Sequence, residues 1–530
     1  MAFIPSFNLA ILICCAALWA LSRFRRHKKS SLSLPPGPKG LPFLGNINDP
    51  PGSGVLEYHH WAKHKDLYGP ISSLTVLGQT FIILNDPEIA FELMRDRSAI
   101  HSSRPEQAFV KMSGWQNATA MLPYGDTWKI HRKTITKIAS SNISVSAFER
   151  IQEVEAAHFL VDLLATPNNL FDHIRKEAGS VILKITYGYT TEAHKRDPLV
   201  DLANEAMNDF ADATVPGKWT VDVLPFLKYI PKWMPGAEFK RLGRRYAYNL
   251  DRCANLPYAF VKSQMDEKRH TPSFLSQCIQ STENDPQLDF IHKYAAVSLY
   301  LGGADTTVSA LMTFFLAMMV FPDVQKKAQE EIDRIVGSDR LPLTADRGNL
   351  PYIEAILKET HRWHQVLPMC IPHASTEEDE FRGYRIPKGA VLIANNWLFM
   401  HDPNIYPDPM AFRPERHLDM PGHKAEPDPR NFIFGYGRRI CPGRFVADNA
   451  LFITIAQSLA VFNIEKPYDK ENGHIIEPKI AFEPGAISHP LPYKASVKPR
   501  SERHEILIKA TEKEYPWAES DAKVLGSLSC

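Results

Sequence analysis

A large, mainly α-helical domain with a smaller β-rich portion, held behind an N-terminal transmembrane anchor, is the fold class this 530-residue sequence predicts. Three observations lead there. The first residues form one apolar run closed by a basic cluster. From about Pro50 to Pro499 there is no second linker, repeat or low-complexity tract, so one domain takes up most of the chain. Within it, long segments of helical character outnumber short strand-like ones.

The anchor comes first. Phe7 to Leu21, FNLAILICCAALWAL, is apolar apart from Asn8, and Phe3 and Ile4 extend it toward membrane-spanning length. Arg23, Arg25, Arg26, Lys28 and Lys29 follow at once. Charge on that side of the span keeps the body cytosolic. A cleaved signal peptide would carry its charge before the apolar run instead. Residues 1–22 are therefore assigned to an uncleaved anchor, and 23–49 to a basic stop and a Pro/Gly-rich hinge. In LPPGPKGLPFLG, Pro35, Pro36, Pro38 and Pro42 make a stiff spacer between anchor and body.

The body spans 50–500. Ser146 to Leu164, Tyr294 to Met319 and Gln325 to Val336 read as helices. ISSLTVLG from Ile71, TFIILN from Thr80 and AVLIANN from Ala390 read as strands. Tyr294 to Phe321 is apolar enough for a second span, but Asp305 near its middle would be costly in lipid and its flanks lack an asymmetric basic cluster. It is assigned to a helix through the centre of the domain. Residues 501–530 form a charged tail, expected to be mobile at its very end.

Composition excludes some classes of function. A formal net charge of +1 gives no support to nucleic-acid binding. Seven cysteines without repeated spacing argue against a disulfide framework and for a reducing compartment.

Three constellations carry chemistry. On the central helix, Gly302 and Gly303 each cost about 1 kcal/mol relative to alanine and stand just before Asp305, Thr306 and Thr307. They serve either close helix packing or a local opening of the helix beside a small ligand, with a carboxylate and a hydroxyl to supply protons. In ILKETHRWHQVLP, Glu359 and Arg362 share a helix face, and Arg416 of FRPERH is placed to turn the pair into a buried network. His361 and His364 lack the further ligands a metal site needs. The third constellation is FGYGRRICPGR, Phe434 to Arg444, with one cysteine among glycines and arginines. Cys441 has no CxxC partner for zinc, and Ile440 stands where a dinucleotide fingerprint needs its third glycine. Axial ligation of haem iron by a thiolate fits, in a glycine loop that a flat macrocycle can approach.

FGYGRRICPGR resembles the haem-binding signature of the cytochromes P450 through Phe434, Gly435, Gly437, Arg439, Cys441 and Gly443. GGADTT resembles that family's oxygen-activation motif, Glu359 and Arg362 its ExxR pair, and FRPER the segment that supplies Arg416. WKIHR, with Trp128 and Arg132, and His373 of IPHA resemble segments that touch the haem propionates. The resemblance runs from about Leu34 to Pro499. It departs at Gln365, where proline is common, and at His417, where an aromatic is common. DVLPFLKYIPKWMPG, Asp222 to Gly236, has the character of fungal, basidiomycete members acting in secondary metabolism.

The resemblance implies a cytochrome P450 fold and haem b, with Cys441 as its axial thiolate, which pushes electron density to favour O–O cleavage. It further implies that Trp128, Arg132, His373 and Arg439 hold the propionates, and that Asp305 and Thr306 deliver protons. Glu359, Arg362 and Arg416 are implied to be structural. Electrons are implied to come from NADPH through a separate NADPH–cytochrome P450 reductase, with cytochrome b5 as a second donor. The location implied is the endoplasmic reticulum membrane, single-pass, with the catalytic domain cytosolic. Position relative to the motifs places Tyr300, Leu301, Ala304, Met369, Ile371, Ala486 and Ile487 at the substrate. Their apolar character points to hydroxylation of a lipophilic molecule, a terpenoid, with an aromatic or indole-derived substrate as the second choice. Two rival readings are a haem-thiolate isomerase or dehydratase without a reductase, and a non-catalytic haem or lipid sensor.

Overall fold

The computed structural model of the protein describes residues 32–528 apart from 53, 140, 282–284 and 470–472. The anchor expected over 1–22, with the basic residues that follow it, lies outside the described residues. The helices that frame the site are α1 (Asp126–Ala139), α2 (Glu149–Ala165), α3 (Leu170–Tyr187), α4 (Pro198–Ala213), α5 (Glu238–Asp266), α6 (Pro286–Val320), α7 (Pro351–Trp363) and α8 (Arg444–Val461).

Local chemistry sets where α6 begins and ends. The Asp285 carboxylate accepts the N–H groups of Gln287 and Leu288, and Pro286 occupies a first-turn position where a missing N–H costs nothing. At the other end Pro322 follows Phe321, whose backbone has left the helical conformation (φ −121°, ψ 68°). In between, α6 is apolar all round, which suits a helix surrounded by protein. Its span-like apolar window is 78% buried. Helices α1, α3, α4, α7 and α8 all pack on it. Phe314, Phe315 and Leu316 meet Phe159 and Leu160 of α2 and Leu451 and Phe452 of α8 in one core. A second core joins Leu301 and Ala304 to Ile182 and Leu183 of α3, Leu202 of α4 and Leu250 of α5.

The β portion is small. Strands β1 (Ile71–Val76), β2 (Gln79–Leu84), β3 (His373–Ala374) and β6 (Val391–Ala394) form one sheet in the order β1-β2-β6-β3. β1 and β2 are antiparallel, with Val76 opposite Gln79. The two residues between them, Leu77 and Gly78, both have positive φ (46° and 81°), the tight turn whose twist matches a hairpin. β6 runs parallel to β2, and β3 pairs antiparallel to β6 with His373 opposite Leu392. That pairing carries His373 to the middle of the molecule. Strands β4 (Asp379–Phe381) and β5 (Tyr384–Ile386) form one two-stranded sheet, and β7 (Phe462–Glu465) and β8 (Ser496–Pro499) another.

Two segments depart from expectation. The Pro/Gly-rich stretch is no free spacer, because it lies along the open edge of β1. Ser73 donates its N–H to Pro36 O at 2.8 Å and its hydroxyl to Pro35 O at 2.6 Å, and Leu77 N–H reaches Leu44 O at 3.0 Å. An edge strand has unpaired donors, and prolines, which lack N–H groups, still offer carbonyls to them. Gly37 is required there, since a Cβ would stand 1.8 Å from Ser73 O. The charged tail is likewise part of the body. It forms α9 (Glu502–Glu514) with Ile508 fully buried. Beyond α9, Trp517 stacks on His158 at 3.7 Å, and Asp521 accepts the Thr190 N–H at 2.8 Å. The final residues, 529 and 530, lie outside the described residues.

Candidate active site

Cys441 sits where a loop turns into α8. Gly435 and Gly437 both take left-handed backbone, at φ 79° and 52°. A Cβ on Gly437 would meet Met94 O at 2.6 Å, so the loop rests directly on the backbone of another segment. The Cys441 N–H closes the loop on Phe434 O at 2.6 Å. Gly443 then caps α8. A thiol at a helix N-terminus feels the positive end of the helix dipole. Burial pushes the Cys441 thiol up, while the Gly443 N–H, Arg132 and Arg444 pull it back toward thiolate. Cys253, Cys278 and Cys370 are buried, whereas Cys441 keeps accessible surface.

Around it converge cations that lack carboxylates, Arg104 and Arg439 buried and Arg132 half-buried. The Arg439 guanidinium lies over the Trp128 ring, 4.4 Å from its centroid, and donates to Ser102 O at 2.6 Å and Leu122 O at 2.7 Å. Burial, then Arg104 and Arg132, push it down to about 8. Arg132, on α1 with Trp128, donates to Ile440 O beside the cysteine. Arg104 donates to Ala120 O at 2.7 Å and to Ile371 O and Pro372 O at 2.8 Å, and burial pushes it down to about 10. His373 approaches His101 O through Nδ1 at 2.7 Å. A carbonyl only accepts, so Nδ1 carries the proton and Nε2 is left to face another group. Among the described residues no carboxylate lies on Arg104, Arg132 or Arg439. Arg104 was not legible as a site residue; an Arg–Pro pair in HSSRPEQ carries no chemistry until the fold brings it here.

On α6 the glycine pair divides its work. A Cβ on Gly303 would meet Ile182 Cγ1 of α3 at 2.7 Å, so Gly303 permits close helix packing. A Cβ on Gly302 would meet nothing within 4 Å. The expected opening of the helix is not seen, because α6 stays continuous and the Thr306 hydroxyl donates to Gly302 O at 2.7 Å. Asp305 contacts His489 Nε2 through Oδ1 at 3.2 Å.

Of the residues assigned to substrate, Tyr300 belongs elsewhere. It is fully buried, its hydroxyl donates to Leu199 O of α4, and Tyr187 packs edge-on against its ring. The sequence position is right for the helix but wrong for the face. Leu301, Ala304 and Ile487 are buried together in the second core, with Ile371 packed at its margin. Met369 packs with Tyr58, Trp61, Leu74 and Ile83. Ala486 is half-buried.

Glu359, Arg362 and Arg416 meet with no exposure at all. Arg362 donates to both Glu359 oxygens at 2.8 and 2.9 Å, and Arg416 Nε to Oε1 at 3.1 Å. His417, the departure from the family pattern, joins them through Nε2 on Oε2 at 3.0 Å. Burial alone would raise Glu359, but His417 and Arg362 overrule it and hold the carboxyl at about 2. Gln365, the other departure, donates to His361 O at 3.2 Å and so satisfies a carbonyl at the end of α7. Among the described residues no group of three His, Cys, Asp or Glu stands together at His361 or His364. His364 instead stacks on Phe482 at 3.4 Å.

An accessible thiol at a helix N-terminus, arginines lacking carboxylates, and a helix face bare at Gly302 fit a flat group that brings two carboxylates and takes a sulfur ligand. Haem is such a group, with two propionates and an axial site. Comparison with known proteins bears directly on this fit. The family described as Cytochrome P450 matches residues 35–497. The chain is 43% identical to the cytochrome P450 monooxygenase ppsD of Aspergillus oryzae, over 97% of each chain. It is 45% identical to the cytochrome P450 monooxygenase claR of Ampulloclitocybe clavipes, over 93% of this chain and 91% of the relative. It is 39% identical to the O-methylsterigmatocystin oxidoreductase of Aspergillus flavus, over 97% of each. The family match covers most of the described body, and membership implies a haem-thiolate cofactor. This protein therefore belongs to the cytochrome P450 family and is a cytochrome P450 monooxygenase.

Proposed function

We propose that the enzyme hydroxylates a lipophilic small molecule, a terpenoid, in the secondary metabolism of a basidiomycete fungus. The observation that carries the reading is Arg132 beside Cys441, with Arg439 close to Arg132 and no carboxylate on either arginine among the described residues. When bound, haem b supplies the iron at which oxygen is reduced, one atom going to substrate and one to water. Cys441 Sγ would be its ligand; burial raises the thiol, and the Gly443 N–H, Arg132 and Arg444 oppose that rise. Arg132, Arg439, Trp128 and His373 would hold its two carboxylates, relieving the cost of burying those cations alone. Gly302 gives a flat group room against α6. Thr306 can turn its hydroxyl from Gly302 O to hold a water, and Asp305 can pass a proton to that water.

Cytochrome P450 monooxygenases need a reductase, and here we assign NADPH–cytochrome P450 reductase, with cytochrome b5 as a second donor. The same reading puts the enzyme on the endoplasmic reticulum membrane through residues 1–22, with its body cytosolic. Phe43, at 80% exposure, and Trp233, also at 80%, support a body that rests on lipid. A second reading, an aromatic or indole-derived substrate, is favoured by the relative named for O-methylsterigmatocystin.

The test is a spectral titration of purified enzyme with sesquiterpenes, diterpenes, indole amines and fatty acids, following the haem Soret band. A shift toward high spin with terpenoids alone supports the proposal. A shift with indole amines alone replaces it with the second reading.

A further inference from the structure

We propose that His489 is the positioning residue for Asp305, and that it ties proton delivery to the turn that faces the substrate. This rests on the reading of Asp305 as a proton donor. The contact is direct: His489 Nε2 lies 3.2 Å from Asp305 Oδ1, with side chains 17% and 18% exposed. Neither group is sealed from water and neither is free in it. The other ring nitrogen, Nδ1, is buried without a partner among the described residues.

His489 does not reach Asp305 by chance of a loose loop, because the turn from Phe482 to Pro490 is fastened on several sides. Glu483 N–H bonds His489 O at 2.8 Å, and Leu491 N–H bonds Ala481 O at 2.8 Å, so the turn is a closed hairpin. Ser488 N–H donates to Val366 O at 2.9 Å. Ser488 Oγ donates to Glu483 O at 2.8 Å and accepts from His364 Nε2 at 3.0 Å. Ser309 of α6 donates its hydroxyl to Ser488 O at 2.8 Å. Ser309 and Asp305 are four residues apart, hence on one face of α6, while Ser488 and His489 are adjacent on the turn. Two consecutive turn residues therefore engage one helix face in register, and His489 takes the Asp305 end.

The same turn carries Ala486 and Ile487, and Ile487 packs in one core with Leu301 and Ala304 of α6. A molecule pressing on Ala486 and Ile487 acts on a turn whose next polar side chain orients the acid. With His489 in place, Asp305 is held in one orientation and is linked to occupancy of the pocket. Without it, the carboxylate is free to rotate away from Thr306.

The contact is tested by diethyl pyrocarbonate labelling of the full-length haem-loaded enzyme. In the tryptic peptide spanning 480–494, His489 is the only histidine. Labelling there is expected to rise about fivefold in Asp305→Ala, where Nε2 loses its partner. Its consequence is read with reductase and farnesol as a lipophilic probe, as peroxide released per NADPH consumed and as the solvent deuterium isotope effect on NADPH consumption. His489→Ala should keep the thiolate-type reduced CO spectrum, release about threefold more peroxide and show a larger isotope effect. His489→Gln, whose amide nitrogen reaches the same place, should return both values most of the way. Equal labelling in parent and Asp305→Ala, or unchanged peroxide and isotope effect in His489→Ala, overturns the proposal. If labelling rises but Asp305→Ala leaves peroxide and isotope effect unchanged, the contact stands and the proton-donor reading beneath the proposal falls.

Discussion

Two buried clusters of charge lie in this molecule, and they are solved in opposite ways. Around Glu359, two arginines and a histidine share one carboxylate, and Arg416 takes a second, Glu426, at 2.8 Å. Every charge there meets its opposite within the chain. Around Cys441, Arg104, Arg132 and Arg439 donate to backbone carbonyls, and Arg439 also lies over the Trp128 ring, with no carboxylate on any of them among the described residues. Carbonyls satisfy N–H groups but bring no negative charge, and a buried cation without an anion is costly. The first cluster is complete as protein, whereas the second is complete only with a dianionic ligand. That difference separates scaffold from site without reference to any relative.

The sharpest way to break the contrast is to make the first cluster resemble the second. Glu359→Ala leaves Arg362 buried without a carboxylate, a loss of about 3–5 kcal/mol. Denaturant unfolding should show that loss, or the yield of folded protein should collapse. Acid acts on the same carboxylate. Because its folded pKa of about 2 lies below the ordinary value of 4.5, its contribution is fully present above pH 4.5 and is lost as pH falls toward 2. Glu359→Gln should abolish that part of the acid dependence.

The converse change is made in the second cluster. Arg439→Gln keeps an amide to donate to Ser102 O or Leu122 O and removes the charge. Stability of the haem-free protein should move by less than about 1 kcal/mol, since a cost is removed along with a contact. Haem release to an acceptor globin should quicken about tenfold, as expected for one charged hydrogen bond. Equal losses in both measurements would make Arg439 a scaffold residue like Arg362.

These clusters also show what a sequence can reveal. Glu359 and Arg362 were legible because helical spacing brings them together, and Cys441 because its glycines and arginines are local. Arg104 and His489 were not, since Arg104 meets Ile371 and Pro372, and His489 meets Asp305, across about 180 residues or more of chain. Tyr300 was placed on the wrong face because α6 is apolar all round and offers no stripe to set its rotation. The hinge and tail were read by composition, which sees prolines and charges but not the edge of β1 or the face around His158. His417 stands where an aromatic is common in the family, yet it bonds Glu359. His417→Phe should therefore cost about 1 kcal/mol, a single hydrogen bond, against several for Glu359→Ala.

The smallest effect expected is also the most discriminating. Gly302 and Gly303 are neighbours in one helix, and alanine at either should gain the helix about 1 kcal/mol by propensity alone. At Gly303 the new methyl would stand 2.7 Å from Ile182 Cγ1, so overpacking of α3 against α6 should cancel or reverse that gain. At Gly302 the methyl meets no atom of the protein, so the gain should survive as a slightly higher unfolding temperature of the haem-free enzyme. The price should appear only with ligands, as weaker haem retention or a smaller Soret shift on titration. A helix position that is better for the fold as alanine, yet is glycine, is kept for what lies beside the helix. Should Gly302→Ala instead destabilise the haem-free protein, Gly302 would belong with Gly303 to the packing of the body, and α6 would have no face reserved for a ligand.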